Sequence, residues 1–109
     1  MQRVSSGGTQ AENAITGTTS DTAQTLIELG ATLSKTGDVT GKVHNACFAL
    51  MSVENNDLRM SLDTPTAAKG LPWRAGETWK LESEAELQKF SCISAVAGAH
   101  ATVQIIIQY

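Results

Sequence analysis

From Ala101 to Tyr109 the chain reads Ala-Thr-Val-Gln-Ile-Ile-Ile-Gln-Tyr, and no other stretch constrains the fold as tightly. Side chains of an extended strand alternate between two faces, so Ala101, Val103, Ile105, Ile107 and Tyr109 share one side. At the helical period the same five would spread around the circumference, which leaves a strand with one face on a core as the consistent reading.

Other segments repeat the alternation more weakly. His44 to Glu54 predicts a strand apolar on both faces, with Cys47, Ala49, Met51 and Val53 on one and Ala46, Phe48 and Leu50 on the other. Such a strand is either central in a sandwich or gives one face to a partner. Asn55-Asn56-Asp57 tolerates left-handed backbone and predicts a hairpin turn into Leu58–Asp63, with Leu58, Met60 and Leu62 inward. Thr78 to Glu82 points Trp79 and Leu81 inward, and Thr22 to Thr32 reads as a strand on its Thr content. Ser34 to Lys42 reads as a loop or weak hairpin, and Thr64 to Gly76, broken by Pro65, Gly70, Pro72 and Gly76, as a surface loop. Ser83 with Glu86 has capping-box spacing for no more than a turn of helix, Lys89 to Val96 predicts a bulge or bend, and Ala97 to His100 a turn.

Short strands joined by turns in a chain of 109 residues predict an all-β fold, a small antiparallel β-sandwich of jelly-roll-like type. Residues 1–22 hold few large aliphatics and predict an extended polar N-terminal arm, with residues 23–109 as the single domain. A net charge of -3 and scattered Lys and Arg argue against a nucleic-acid partner. Met1 to Gly8 lacks the apolar stretch of a signal peptide and no run approaches a membrane span, so the expectation is a protein made in a cytoplasm with no membrane partner. Charged residues make up 17%, against about a quarter in typical domains, which suggests surface given to protein.

The residues provide no catalytic set. Only His44 and His100 could serve as imidazole bases, neither Cys47 nor Cys92 sits in a nucleophile motif, and no Cys/His spacing fits a metal. The expectation is no enzyme, no metal and no cofactor, with both cysteines as small buried hydrophobes. Trp73, beside Arg74 in the Pro/Gly loop, leaves three roles open: a plug for its own core, a contact with a neighbouring subunit, or a sugar-stacking platform. Trp73, Arg74 and Ile15 of the arm are the candidate partner contacts.

Read together, Ala49–Glu54, Leu58–Asp63, the Thr64-Pro65-Thr66-Ala67-Ala68-Lys69-Gly70 loop, Ala75-Gly76-Glu77, Leu87–Phe90 and Thr102–Ile105 resemble small tailed-phage virion proteins. The resemblance covers residues 43–109. It implies a β-sandwich in the virion, assembled in the host cytoplasm: a capsid cement or decoration protein, trimeric, bridging capsomers by contact with the major capsid protein. A neck, tail or baseplate component is the nearest variant, and a carbohydrate-binding module the alternative outside the virion.

Overall fold

The last alternating run forms a strand at the interior of a sheet in the computed structural model, which describes residues 12–36 and 43–109. Among the described residues ten strands and one helix follow in order: β1 (Glu12–Thr18), β2 (Gln24–Thr25), β3 (Ser34–Thr36), β4 (Val43–Asn45), β5 (Phe48–Glu54), β6 (Leu58–Ser61), β7 (Leu71–Trp73), β8 (Thr78–Leu81), α1 (Glu84–Lys89), β9 (Ser91–Ser94) and β10 (Thr102–Gln108). The first sheet has the order β1-β10-β5-β8, the second β2-β9-β6-β7, and β3 with β4 makes a separate ribbon.

The pairing is nested. β1 pairs with β10, β2 with β9, β5 with β8 and β6 with β7, all antiparallel, as if the chain were one long hairpin with its tip between β6 and β7. Wrapping that hairpin adds the pairs β10–β5 and β9–β6 and distributes the strands between two sheets. That is the jelly-roll architecture, with the β3–β4 ribbon inserted between β2 and β5.

The register explains the core. Ile15, Ile105, Met51 and Trp79 lie opposite one another across the first sheet, and Val103 lies opposite Val53 in the next inward row. They face Leu58, Met60, Trp73 and Cys92 of the second sheet, with Leu87 of α1 and Phe90 completing the buried cluster. The inward face of β10 from Ala101 to Tyr109 is buried throughout, as its alternation predicts.

Several expectations need correction. The Asn55–Asp57 turn does not close a hairpin: β5 belongs to the first sheet and β6 to the second, so the turn carries the chain across the sandwich with Asn55 left-handed at φ 72. Leu62 lies beyond the end of β6 and is exposed rather than inward. The Thr64–Gly76 excursion contains a strand, β7, because an edge position leaves Pro72 without a ladder bond to lose. Residues 12–22, placed in the arm by sequence, include β1 and the turn that follows it; the remainder of the predicted arm, residues 1–11, lies outside the described residues. For Ser34–Lys42, expected as a loop or weak hairpin, the hairpin alternative agrees with the structure: β3 pairs antiparallel with β4, residues 37–42 again lying outside those described.

His44–Glu54 is two strands rather than one. Ala46 donates its N–H to the Leu33 carbonyl (2.7 Å) and Cys47 to the Gln108 carbonyl (3.0 Å), so the chain leaves the ribbon and enters the first sheet between them. That break resets the parity: Ala46 is buried and Cys47 is exposed. Thr22–Thr32 is also not a strand beyond Gln24–Thr25. Thr25 and Glu28 form a reciprocal capping box (3.0 and 3.3 Å), and one helical turn follows. The turn ends when Ala31 N–H bonds the Leu26 carbonyl and Gly30 N–H the Ile27 carbonyl. This Schellman closure requires a left-handed residue, supplied by Gly30 at φ +109.

After β8, the Ser83 hydroxyl accepts the Glu86 N–H and α1 runs six residues, longer than the expected single turn. Its C-cap is Phe90, which accounts for the mismatch in spacing between Phe90 and Ile93: a helix end and a regular strand, with no bulge.

Candidate functional site

The three candidate contacts do not meet. β1, with Ile15, and β8, which follows Trp73 and Arg74, are opposite edges of the first sheet. Trp73 is only 2% exposed and stacks face to face on Trp79, with centroids 5.0 Å apart and planes 2° from parallel. Phe90 lies tilted against it at 5.5 Å. Of the roles left open for Trp73, the structure selects the plug in its own core. Arg74 pairs with Asp57 at 3.7 Å on the surface, and Asp57 also accepts the Ala75 N–H at 2.8 Å. These bonds fasten the β7–β8 turn to the β5–β6 corner, and an exposed ion pair of this kind contributes little stability. Ile15 is half-buried and packs on the core from β1.

A polar constellation without a local sequence signal joins the β1–β2 and β9–β10 connections. Ser94 Oγ lies 2.9 Å from His100 Nδ1 and 2.8 Å from Thr19 Oγ1, and Thr19 Oγ1 accepts the Ala101 N–H at 2.8 Å. Asp21 Oδ1 stands 3.9 Å from the same His100 Nδ1 and accepts the Gly98 N–H at 2.9 Å. Serine, histidine and aspartate together suggest a nucleophilic relay, but a relay needs the acid and the hydroxyl on different ring nitrogens. Here both approach Nδ1, and Ser94 is 1% exposed, closed to any substrate. The arrangement is a strap that satisfies buried polar groups where the chain crosses between sheets. Among the described residues no three His, Cys, Asp or Glu gather to hold a metal ion.

The cysteines have opposite environments. Burial pushes the Cys92 thiol up to about 12, since a thiolate there would lose its hydration. Cys47 is exposed, which corrects the expectation that both are buried. In native protein a thiol reagent is expected to label one cysteine per chain quickly, and Cys92 only on unfolding; two fast thiols would contradict the packing. A raised thiol pKa also sets a pH dependence. Stability is unaffected below the unfolded value of 9.0 and is lost as pH rises from there towards about 12, because only the unfolded chain releases the proton. That loss is expected to be absent from Cys92→Ala.

Two of the surface concavities have largely apolar linings. A groove of about 440 Å³ lies between β7 and β8, lined by Leu62, Leu71, Trp79, Lys80 and Glu86 among others. Leu62 and Leu71 are 45% and 53% exposed there, an apolar rim over a half-buried Trp79. The other, about 600 Å³, lies between Ile27, Leu33, Asn45 and Gln88. Neither gathers the convergent ionisable groups of a catalytic cleft; both present apolar side chains suited to contact with protein.

The chain matches no protein-family model, no curated protein and no solved structure.

Proposed function

We propose that this protein is a structural component of a tailed-phage virion, a capsid cement or decoration protein that binds the major capsid protein and stabilises contacts between capsomers. The observation that carries the reading is the groove between β7 and β8. Leu62 and Leu71 are held open to solvent on a jelly roll whose buried Ser94 and Thr19 hydroxyls, with the exposed His100, are engaged in a structural strap. The groove borders the Pro-Thr-Ala-x-x-Gly loop that contributes to the resemblance, and that loop is rigidly placed. Arg59 donates to the carbonyls of Ala67 and Gly70, each at 2.9 Å, and Gly70 at φ +136 passes so close to Met60 that a Cβ would stand 2.9 Å from its carbonyl oxygen. A fixed apolar rim is pre-organised for protein contact and loses little entropy on docking.

The test is co-sedimentation of the purified chain with purified capsids. Binding that drops at least tenfold on Leu71→Glu, with the melting temperature kept, is the expected result; absence of binding ends the cement reading. Locating the chain in a particle map separates the capsid surface from neck, tail or baseplate. Sugar stacking by Trp73 is not proposed, because the ring is buried and packs on Trp79 and Phe90.

A further inference from the structure

A sheet edge offers unpaired backbone groups to any extended chain, and proteins protect such edges by shortness, proline or inward and central lysine. Three of the four edges of the two larger sheets are protected in these ways. β2 is two residues long, β7 is three residues with Pro72 at its centre, and β8 is four residues including Lys80. β1 is different: it runs seven residues, Glu-Asn-Ala-Ile-Thr-Gly-Thr, with no lysine, arginine or proline.

We propose that the open edge of β1 receives β1 of a second copy of this chain, the two strands adding antiparallel about a twofold axis so that two first sheets become one. Among the described residues, β1 pairs only with β10, and no other backbone group bonds to residues 12–18. The alternate N–H and C=O groups on its far side therefore meet no backbone partner among the described residues, and they have the geometry for a second ladder. Ile15 points toward the core yet remains half-buried, which is what an inward residue on an uncovered edge strand shows.

The sequence of β1 is self-complementary in this arrangement. Centring the pair on Ile15 sets it opposite the second copy's Ile15, Ala14 opposite the second copy's Thr16, and Glu12 opposite the second copy's Thr18. The only charged residues of the two strands then sit at opposite ends, so no like charges face each other. Each strand keeps its inward residues on the core side, because directly opposed residues share a face. On the outer face, the row Leu50, Ile106 and Ala14 reaches the edge and would continue into the second copy. Pairing of this kind does not rest on capsid binding, and either can fail without the other.

Light scattering on the full chain over a range of concentrations tests it, with amide hydrogen exchange on the same samples. The expected result is a mass twice that of one chain at high concentration, with protection of the alternate β1 amides that do not bond β10. Thr16→Lys places a charge on this edge as Lys80 does on the other. Thr16 is exposed and, among the described residues, its hydroxyl bonds only the exposed Gln104 (2.8 Å), so the fold has little to lose. This variant is expected to be a monomer with unchanged circular dichroism and melting, and with fast exchange at those amides. A monomer at every concentration, a three-chain mass, a dimer that survives Thr16→Lys, or full β1 protection in a monomer would each overturn the proposal, the last by showing that the chain covers its own edge.

Discussion

Ile105→Asp is expected to leave the chain unfolded at room temperature. Ile105 is 1% exposed on β10, with Ile15 opposite on one side and Met51 on the other, and the second sheet lies over it. The change removes a buried aliphatic, worth about 2–5 kcal/mol when truncated, and adds a carboxylate with no cationic or donor partner, at a further several kcal/mol. Against a total stability of roughly 5–15 kcal/mol for domains in general, the sum exceeds what a small sandwich retains. The control lies one residue on. Ile106 points to the outer face and is only half-buried, so Ile106→Asp is expected to fold with a loss of about 1 kcal/mol. Circular dichroism and chemical denaturation of both variants decide it. A folded Ile105→Asp, or an unfolded Ile106→Asp, would mean that the inward and outward faces of β10 are reversed.

That contrast depends on a property readable in the sequence. Parity is local, so the faces of β10 and the inward positions Leu58 and Met60 follow from spacing alone. Sheet membership is not local. The Asn55–Asp57 segment has the chemistry of a tight turn, and it is one, but whether its two strands pair depends on β10 and β8 taking both sides of β5. Those partners lie far along the chain, and no residue near Asn55 signals them. Edge strands are obscured for another reason: they need little apolar content and tolerate proline, so β1 reads as polar arm and β7 as loop. The Ala46–Cys47 parity break arises where two backbone N–H groups find carbonyls on different elements. By contrast, the helical turn after β2 had a local signal in the Thr25-x-x-Glu28 spacing ahead of Gly30.

The candidate contacts show the same division. A tryptophan between Pro72 and Arg74 signals an aromatic that must pack on something, without indicating what. The strap of Thr19, Asp21, Ser94 and His100 was invisible because its first link joins residues 75 apart in the chain. Exposure carried more information than residue type: the groove that supports the functional reading is lined by ordinary leucines left uncovered at a sandwich edge.

Trp73→Ala is the second large effect expected, and it tests how that edge is closed. β7 is short and bears a single buried side chain, so the edge of the sandwich between β7 and β8 is filled by the Trp73–Trp79 stack and Phe90. Truncating a buried tryptophan costs about 3–5 kcal/mol, and each kcal/mol lowers the melting temperature of a domain this size by roughly 4–8 °C. A fall of at least about 12 °C is therefore expected, together with a shift in Trp79 emission as its stacking face meets water. Trp73→Phe is the informative partner. The Trp73 Nε1 is buried with no hydrogen-bond acceptor among the described residues, so the indole N–H is a cost that phenylalanine does not carry. Trp73→Phe keeps an aromatic face against Trp79, loses part of the ring volume and removes the orphaned donor, and the opposing terms are expected to leave stability within about 1.5 kcal/mol of the original. If Trp73→Ala costs under about 1 kcal/mol, the stack does not close the sandwich. The rim of Leu62 and Leu71 above it would then rest on a floor too soft to hold the groove in shape for a partner.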